Sequence, residues 1–337
     1  MHPKLLVLEL SLLDRPHLIS DQYINYENGL PSNASHDPIS WHSYAAAMNG
    51  RFISAPHSDL KEHIEWADII LATWNYSPLL AKNVITQIKK LGKPVILAFH
   101  ENGDMFQKNA KNLQWLIDFR ECANMCDAIM IYPHHEIFGK IYEGMGIKAQ
   151  QVYIPQPYDI EGVRKYIVPE LRRGIFIGPQ LKDDEIEHRN FILNVLLAAY
   201  HIKEHKHIYP SITIINSSPA HTATVGGFLN RLCPGIMFNI YNKLSYEEYL
   251  ECLAQHQYYI NADTSFTQGQ VDLDAMALGL TPLVWDMGFG TDYGSLYRQN
   301  FSQTAGSNAP LSFVEKYCSF EVCKQQLTQL YYQLKGK

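Results

Sequence analysis

Several absences narrow what this chain can be. No apolar run approaches the roughly 18 residues a membrane span needs. The opening run MHPKLLVLELSLLDRPH has a short apolar stretch, interrupted by Glu9 and Asp14, so it reads as a first strand and not as a leader. None of the six cysteines forms a Cys-x-x-Cys pair, and 337 residues need no disulfide staples. Reduced thiols in a cytoplasmic protein are expected. Long blocks of like charge are missing too. Lys plus Arg total 28 against 34 Asp plus Glu, for a net charge of −6. Residues 1–158 hold 13 basic and 16 acidic residues, and the remainder 15 and 18, so each half carries −3. Neither half is a basic domain waiting for a polyanion, which disfavours bulk nucleic-acid binding without excluding a local basic groove. There is no internal repeat and no low-complexity segment. What is present is globular: 46% apolar and 18% charged residues, enough for two cores and unlike a disordered chain, a collagen or a coiled coil.

Short β-rich runs alternate with helical stretches. Strands are predicted at Lys4–Leu10, Arg51–Ser54, Asp68–Ala72, Pro94–Ala98, Ala128–Tyr132 and Val152–Ile154. Runs such as DIILA and PVILAF are near-continuously apolar, as in a parallel sheet covered on both faces. Ser77-Pro78 should open a helix that Gly92 closes. The second half repeats the rhythm, with strands at Gly174–Ile177, Ile212–Ile215, Met237–Ile240, Tyr258–Asn261 and Pro282–Trp285. Ser245 and Glu248 form a capping box. The fold class is therefore α/β. Ile154-Pro155-Gln156-Pro157-Tyr158 breaks the alternation and is the candidate linker. Arg15–Ser43 is polar and reads as a long irregular segment, of the kind that is functional or disordered.

Met237–Trp285 carries a signature. Asp274-Ala275-Met276-Ala277 with Gly279 and Thr281-Pro282 closes a strand, capped helix, strand, loop and helix. This resembles the nucleotide-binding half of GT-B glycosyltransferases, in particular glycosyltransferase family 4. Gly174–Gly178, Ile212–Pro219 and Ala98-Phe99-His100 fit the same layout. There are departures. Without gaps, the family's first glutamate falls on Phe266, and its second on Asp274. The turn Pro179-Gln180-Leu181-Lys182 lacks the usual Gly-Arg, and no early glycine-rich loop is present.

The resemblance implies two Rossmann-like domains facing each other across a cleft. Residues 1–156 would bind acceptor, and residues 157–315 would bind the nucleotide-sugar. The helix in 316–337 would cross back to the first domain. The donor diphosphate wants helix N-terminal N–H groups and cations. Gln268, Gly269 and Gln270 precede or open the helix of Asp274, and glycine permits close backbone approach. Lys182 and Arg189 flank the next candidate helix and, with Gln180, would meet phosphate or sugar. Asp274 would accept from ribose hydroxyls. Ser217 and Ser218 end a strand at the cleft, and Leu244 would offer backbone groups to the base. His100 would touch the donor sugar, with Glu101 and Asp104 as carboxylates for general-base work. No histidine has Glu or Cys at metal-site spacing, and Asp272-x-Asp274 sits at a helix start, so no metal and no separate cofactor is expected.

The expected function is transfer of a hexose from a nucleotide-sugar to a polar acceptor, a saccharide or other small molecule, retaining and metal-independent. The protein would supply electrostatic stabilisation of the leaving diphosphate. Trp41 and His42 are the expected acceptor contacts. Three alternatives stay open: glycosylation of a modified nucleic-acid base, a GT-B-like nucleotide-binding subunit without turnover, and a nucleotide-sugar epimerase.

Overall fold

A computed structural model describes residues 2–10, 23–27, 41–55, 58–74, 78–99, 113–131, 136–168, 172–181, 190–217, 224–262, 269–283, 297 and 309–336. The chain divides into two compact units. One is Met1–Asp159 with Tyr317–Lys337, the other Ile160–Lys316.

The first unit runs β1 (Leu5–Leu10), β2 (Tyr23–Asn25), α1 (Trp41–Ala47), β3 (Arg51–Ala55), α2 (Leu60–Trp66), β4 (Ile69–Trp74), α3 (Pro78–Lys90), β5 (Val95–Phe99), α4 (Leu113–Met125), β6 (Ala128–Ile131), α5 (Glu136–Gly144) and β7 (Gln150–Tyr153). Its sheet order is β2-β3-β1-β4-β5-β6-β7. Only the β2–β3 pairing is antiparallel. Every residue of β1 and β4 is buried. That is why their sequences are apolar without alternation: both faces are covered. Leu6, Leu8, Ile70 and Leu97 pack under α2 to α5. Leu5, Val7, Leu71 and Ile96 pack under α1 and under α12 (Phe320–Lys335), the helix that closes the chain. Helix α3 opens on Pro78, which needs no amide partner at that position. It gives way to Gly92 at φ +65°, where a side chain would be strained.

Arg15–Ser43 is not irregular throughout. Its described parts hold β2 and the first turn of α1. A three-residue edge strand has no period to read. The Pro155–Pro157 segment is buried within the first unit, with Gln156 only 1% exposed. Next to it, the Tyr158 N–H donates to the Cys318 carbonyl at 2.7 Å.

The second unit runs α6 (Ile160–Arg164), β8 (Ile175–Ile177), α7 (Phe191–Glu204), β9 (Ser211–Asn216), α8 (Val225–Leu232), β10 (Met237–Asn242), α9 (Tyr246–Ala254), β11 (Tyr258–Ile260), α10 (Gln270–Ala277) and β12 (Thr281–Pro282), then enters α11 (Ala309–Cys318). Its sheet is parallel, in the order β10-β9-β8-β11-β12. Strand β12 shares only Pro282 with the run expected at Pro282–Trp285; Leu283 follows it, with its N–H donating to the Tyr259 carbonyl at 2.8 Å, and residues 284–285 lie outside the described residues. Helices α7 and α8 cover one face through Phe191, Val195, Ala198, Val225 and Leu229. All six cysteines are buried and none is in a disulfide. Burial pushes the Cys122 thiol up to about 12.

Candidate functional site

Strand order reverses at β8, with β9 on one side and β11 on the other. In open parallel sheets that reversal leaves a crevice at the carboxyl ends of the strands, where ligands bind. Gly178 ends β8 there, and its N–H donates to the Ile260 carbonyl at 2.8 Å. A Cβ on Gly178 would stand 3.1 Å from the Asn261 side chain. Glycine is what lets the ends of β8 and β11 approach so closely.

Past β11 the chain is held by two asparagines at the start of α7. Ala262 N–H donates to Asn194 Oδ1 at 2.7 Å, and Asn190 Nδ2 donates to the Ala262 carbonyl at 2.9 Å. Asn194 Nδ2 in turn donates to the Asn190 carbonyl. Asn194 is fully buried, and Asn190 takes the left-handed conformation at φ +50°. Asparagine tolerates that region better than most residues, but it still costs energy, and this network of bonds over-determines it. Asn261 Nδ2 reaches across to Asp272 Oδ2 at 2.7 Å, tying the end of β11 to the first turn of α10. Gly269 caps α10 at φ +98°. Asp274, the fifth residue of that helix, is fully buried, and Tyr246 Oη donates to its Oδ1 at 3.0 Å. Burial, with the Asp272 carboxylate close by, holds the Tyr259 phenol well above its ordinary range.

On the other side of β8, Ser217 Oγ donates to Gln180 Oε1 at 2.7 Å. The backbone there is laced by Leu181 N–H to the Ile215 carbonyl and Ser217 N–H to the Leu181 carbonyl. Half-buried Leu244 follows β10 and precedes the capping box, which is present in full: Ser245 Oγ accepts from Glu248 N–H, and the Glu248 carboxylate accepts from Ser245 N–H. Those bonds hold the Glu248 carboxyl below its usual value.

Beneath this rim, His256 Nδ1 lies 2.9 Å from the Cys252 carbonyl, and Nε2 lies 2.6 Å from Thr213 Oγ1. A carbonyl only accepts, so Nδ1 carries the proton and Nε2 accepts from Thr213. Burial pushes this imidazole below its ordinary value. It is a core strut between α9 and β9.

Of the residues singled out from sequence, Leu244, Ser217, Gln180, Gly269 and Gln270 follow one sheet end in that spatial order, from β10 through β9 and β8 to the start of α10. Asp274 faces inward beneath them. His100, Glu101, Asp104, Lys182, Arg189, Ser218, Phe266 and Gln268 lie outside the described residues. Trp41 and His42 open α1. Trp41 stacks on Tyr44 at 5.6 Å, and His42 lies over Phe52 at 3.8 Å. Asn190, Asn194, Asn261 and Tyr246 were not singled out. Two asparagines one turn apart at the head of an apolar helix were the available signal. Among the described residues no group of three or more His, Cys, Asp or Glu could hold a metal ion. Likewise, no described helix is long and apolar enough to cross a membrane.

No protein-family model matches the chain, and no curated protein matches it in sequence. Solved structures do match. HepE of Anabaena in complex with UDP aligns at TM-score 0.56 and 10% identity, over 99% of this chain and 100% of that one. Sucrose-phosphate synthase of Thermosynechococcus elongatus aligns at 0.55 and 13% identity, over 99% of both chains. An α-glucosyltransferase in complex with UDP and a 13-mer DNA containing an HMU base aligns at 0.50 and 12%, over 85% of this chain and 86% of that one. Likeness over the whole length shows that the chain has the α/β GT-B fold that the resemblance implied. At such identities it is the architecture that is shared.

Proposed function

We propose that the protein is a glycosyltransferase of the family 4 kind. It moves a hexose from a nucleotide-diphosphate sugar to a saccharide or other small polar acceptor, with retention and without a metal or other cofactor, in the cytoplasm. One observation carries this reading. In a chain that shares its fold end to end with a UDP-bound structure, Leu244, Ser217, Gln180 and the start of α10 follow one sheet end at its switch point.

The second unit takes the donor. Backbone N–H groups at Gly269 and Gln270 receive the diphosphate, since a helix start attracts anions and glycine adds no side chain to keep them away. Lys182 and Arg189 supply positive charge, and Ser217, Ser218 and Gln268 supply polar contacts. As the sugar bond breaks, charge develops on the diphosphate, and these fixed dipoles and cations stabilise it. Asp274 would accept from ribose hydroxyls, and a ribose hydroxyl at its Oδ1 would take the place of the Tyr246 hydroxyl. The first unit takes the acceptor; by the resemblance His100 would touch the donor sugar, and Glu101 and Asp104 are the candidate carboxylates for general-base work.

The test is 31P and 1H NMR of UDP-glucose or GDP-mannose incubated with the protein and simple sugars in EDTA. The reading expects nucleoside diphosphate release that depends on acceptor, and a product that keeps the donor's anomeric configuration. Unchanged donor in every combination contradicts it. A second reading, with modified DNA as acceptor, draws on the DNA-bound α-glucosyltransferase. Transfer to a 13-mer with the same HMU base, in preference to sugars and weakened by salt, is its signature.

A further inference from the structure

The first sheet also has a switch point, between β1 and β4, and its last row of side chains is unusual. Parallel register sets Ser54, Glu9, Thr73 and Ala98 side by side across β3, β1, β4 and β5. They share the face covered by α1 and α12, because they alternate with Leu6, Leu8 and Ile70 of the opposite face. The row behind them, Phe52, Val7, Leu71 and Ile96, is wholly apolar. The core stripe thus turns polar on three adjacent strands at the carboxyl end of the sheet.

All three polar residues are buried, Glu9 to 7%, Ser54 to 1% and Thr73 to 2% exposure. Ser54 Oγ donates to Glu9 Oε2 at 3.3 Å. Thr73 Oγ1 has no hydrogen-bond partner among the described residues. Buried hydroxyls are nearly always paired, so an orphan beside a carboxylate at a switch point marks a place where a ligand group belongs.

We propose that Glu9 and Thr73, with Ser54 behind them, form a recognition site for a hydroxyl of a pyranose ligand. The chemistry follows from what each group can do. The carboxyl oxygens of Glu9 can accept, and Thr73 has an O–H to donate. A ligand hydroxyl donates to Glu9 and accepts from Thr73 with one group. An ammonium ion has no acceptor and would leave the Thr73 O–H without one. Helix α1 packs on β1 and β3, and half-buried Trp41, stacked on the buried Tyr44 ring, opens that helix with an aromatic surface that suits the C–H face of a sugar ring. On the glycosyl-transfer reading the bound sugar is the acceptor, and only that assignment of its role rests on the reading.

The test uses the full chain with three probes, the methyl α-glycosides of glucose, mannose and galactose. Their affinities are read by saturation-transfer NMR, with UDP titrated separately. One of the three binds the unaltered protein. Glu9→Gln and Thr73→Val each weaken it by about tenfold or more, the effect of losing a hydrogen bond in a buried site. Thr73→Val is nearly isosteric and suits a strand, so it reports even if Glu9→Gln folds poorly. It also raises Tm, because it removes a buried hydroxyl that has no partner. A residue with a purely structural role would lower Tm on the same change. UDP affinity stays within twofold in both variants. The proposal is overturned if no glycoside binds the unaltered protein, if binding survives Glu9→Gln and Thr73→Val unchanged, or if Thr73→Val lowers Tm. Failure of UDP to bind removes the donor reading instead and leaves the glycoside result to stand or fall by itself.

Discussion

In the second unit, asparagine and tyrosine side chains near the sheet's carboxyl end bond to other parts of the same chain. Asn194 and Asn190 hold both backbone groups of Ala262, Asn261 holds Asp272, and Tyr246 holds Asp274. The first unit, built from the same helix-covered parallel sheet, ends in the row Ser54, Glu9 and Thr73, with one hydroxyl unmatched among the described residues. One sheet end fixes the position of a helix start, through side-chain bonds to backbone at Ala262 and to the carboxylates of α10. The other ends in a buried polar row in which the Thr73 hydroxyl has no partner among the described residues. Shared architecture therefore does not imply shared use, and function is argued from the two ends separately.

The largest expected effect breaks the second unit alone. Asn194→Leu strands the Ala262 N–H in the interior, while the Asn190 carbonyl keeps the backbone N–H of position 194, at a cost of about 3 kcal/mol. Urea unfolding should show the loss in one of two transitions, with the first unit's transition unmoved. A loss below about 1 kcal/mol would mean the asparagine ties are incidental. Next comes Tyr246→Phe, which takes a donor from a buried carboxyl and should cost about 2 kcal/mol by the same assay. On the donor reading, UDP should then restore more stability to this variant than to the unaltered protein, since ribose hydroxyls can replace the lost phenol.

Acid should also single out the second unit. Burial, with the neighbouring His205 and His207, pushes His201 down from 6.5 to about 4, and burial lowers His256 as well. Below pH 6.5 the unfolded chain takes up protons at these positions before the folded one does, so stability falls as pH drops from 6.5 towards 4. Melting between pH 7.5 and 5 should show the second transition falling, and His256→Gln should flatten the slope. A slope the same with and without His256 would remove it as a cause. The smallest effect on stability is that of Asn190→Gly. Relief of the left-handed strain and loss of the bond to Ala262 oppose each other at about 1 kcal/mol each, so Tm barely moves. UDP affinity should nevertheless fall, because the end of β11 is no longer fixed. Unchanged affinity would show that the clamp serves the fold only.

Much of the architecture was legible because its causes are local. IILA and VILAF are apolar at every position because both faces of β4 and β5 are covered. Pro78, Gly92 and the Ser245–Glu248 box mark helix ends by chemistry that acts within a few residues. Strand β2 was not legible, since three residues paired at an edge leave no pattern. The site was harder to read for a related reason. The asparagine clamp joins residues 68 and 72 positions apart, and nothing near either end announces it. Asp274 was read as a ribose ligand because the resemblance aligns it with the family's second glutamate; that it is fully buried, with Tyr246 on its Oδ1, depends on a residue 28 positions away. Glu9 looked like a charge interrupting an apolar run. Only the register with Ser54 and Thr73 shows it as part of a buried row.

The central claim is that the second unit binds a nucleotide at its sheet end. The most direct measurement is a thermal-shift screen of the unaltered protein with UDP, GDP, ADP, CMP and dTDP, with EDTA present. At 100 times the dissociation constant, a bound nucleotide adds about 2.7 kcal/mol, several degrees for a unit of this size. The account predicts such a shift for one base, in the second transition and reduced by Asn190→Gly. No shift with any nucleotide would contradict it.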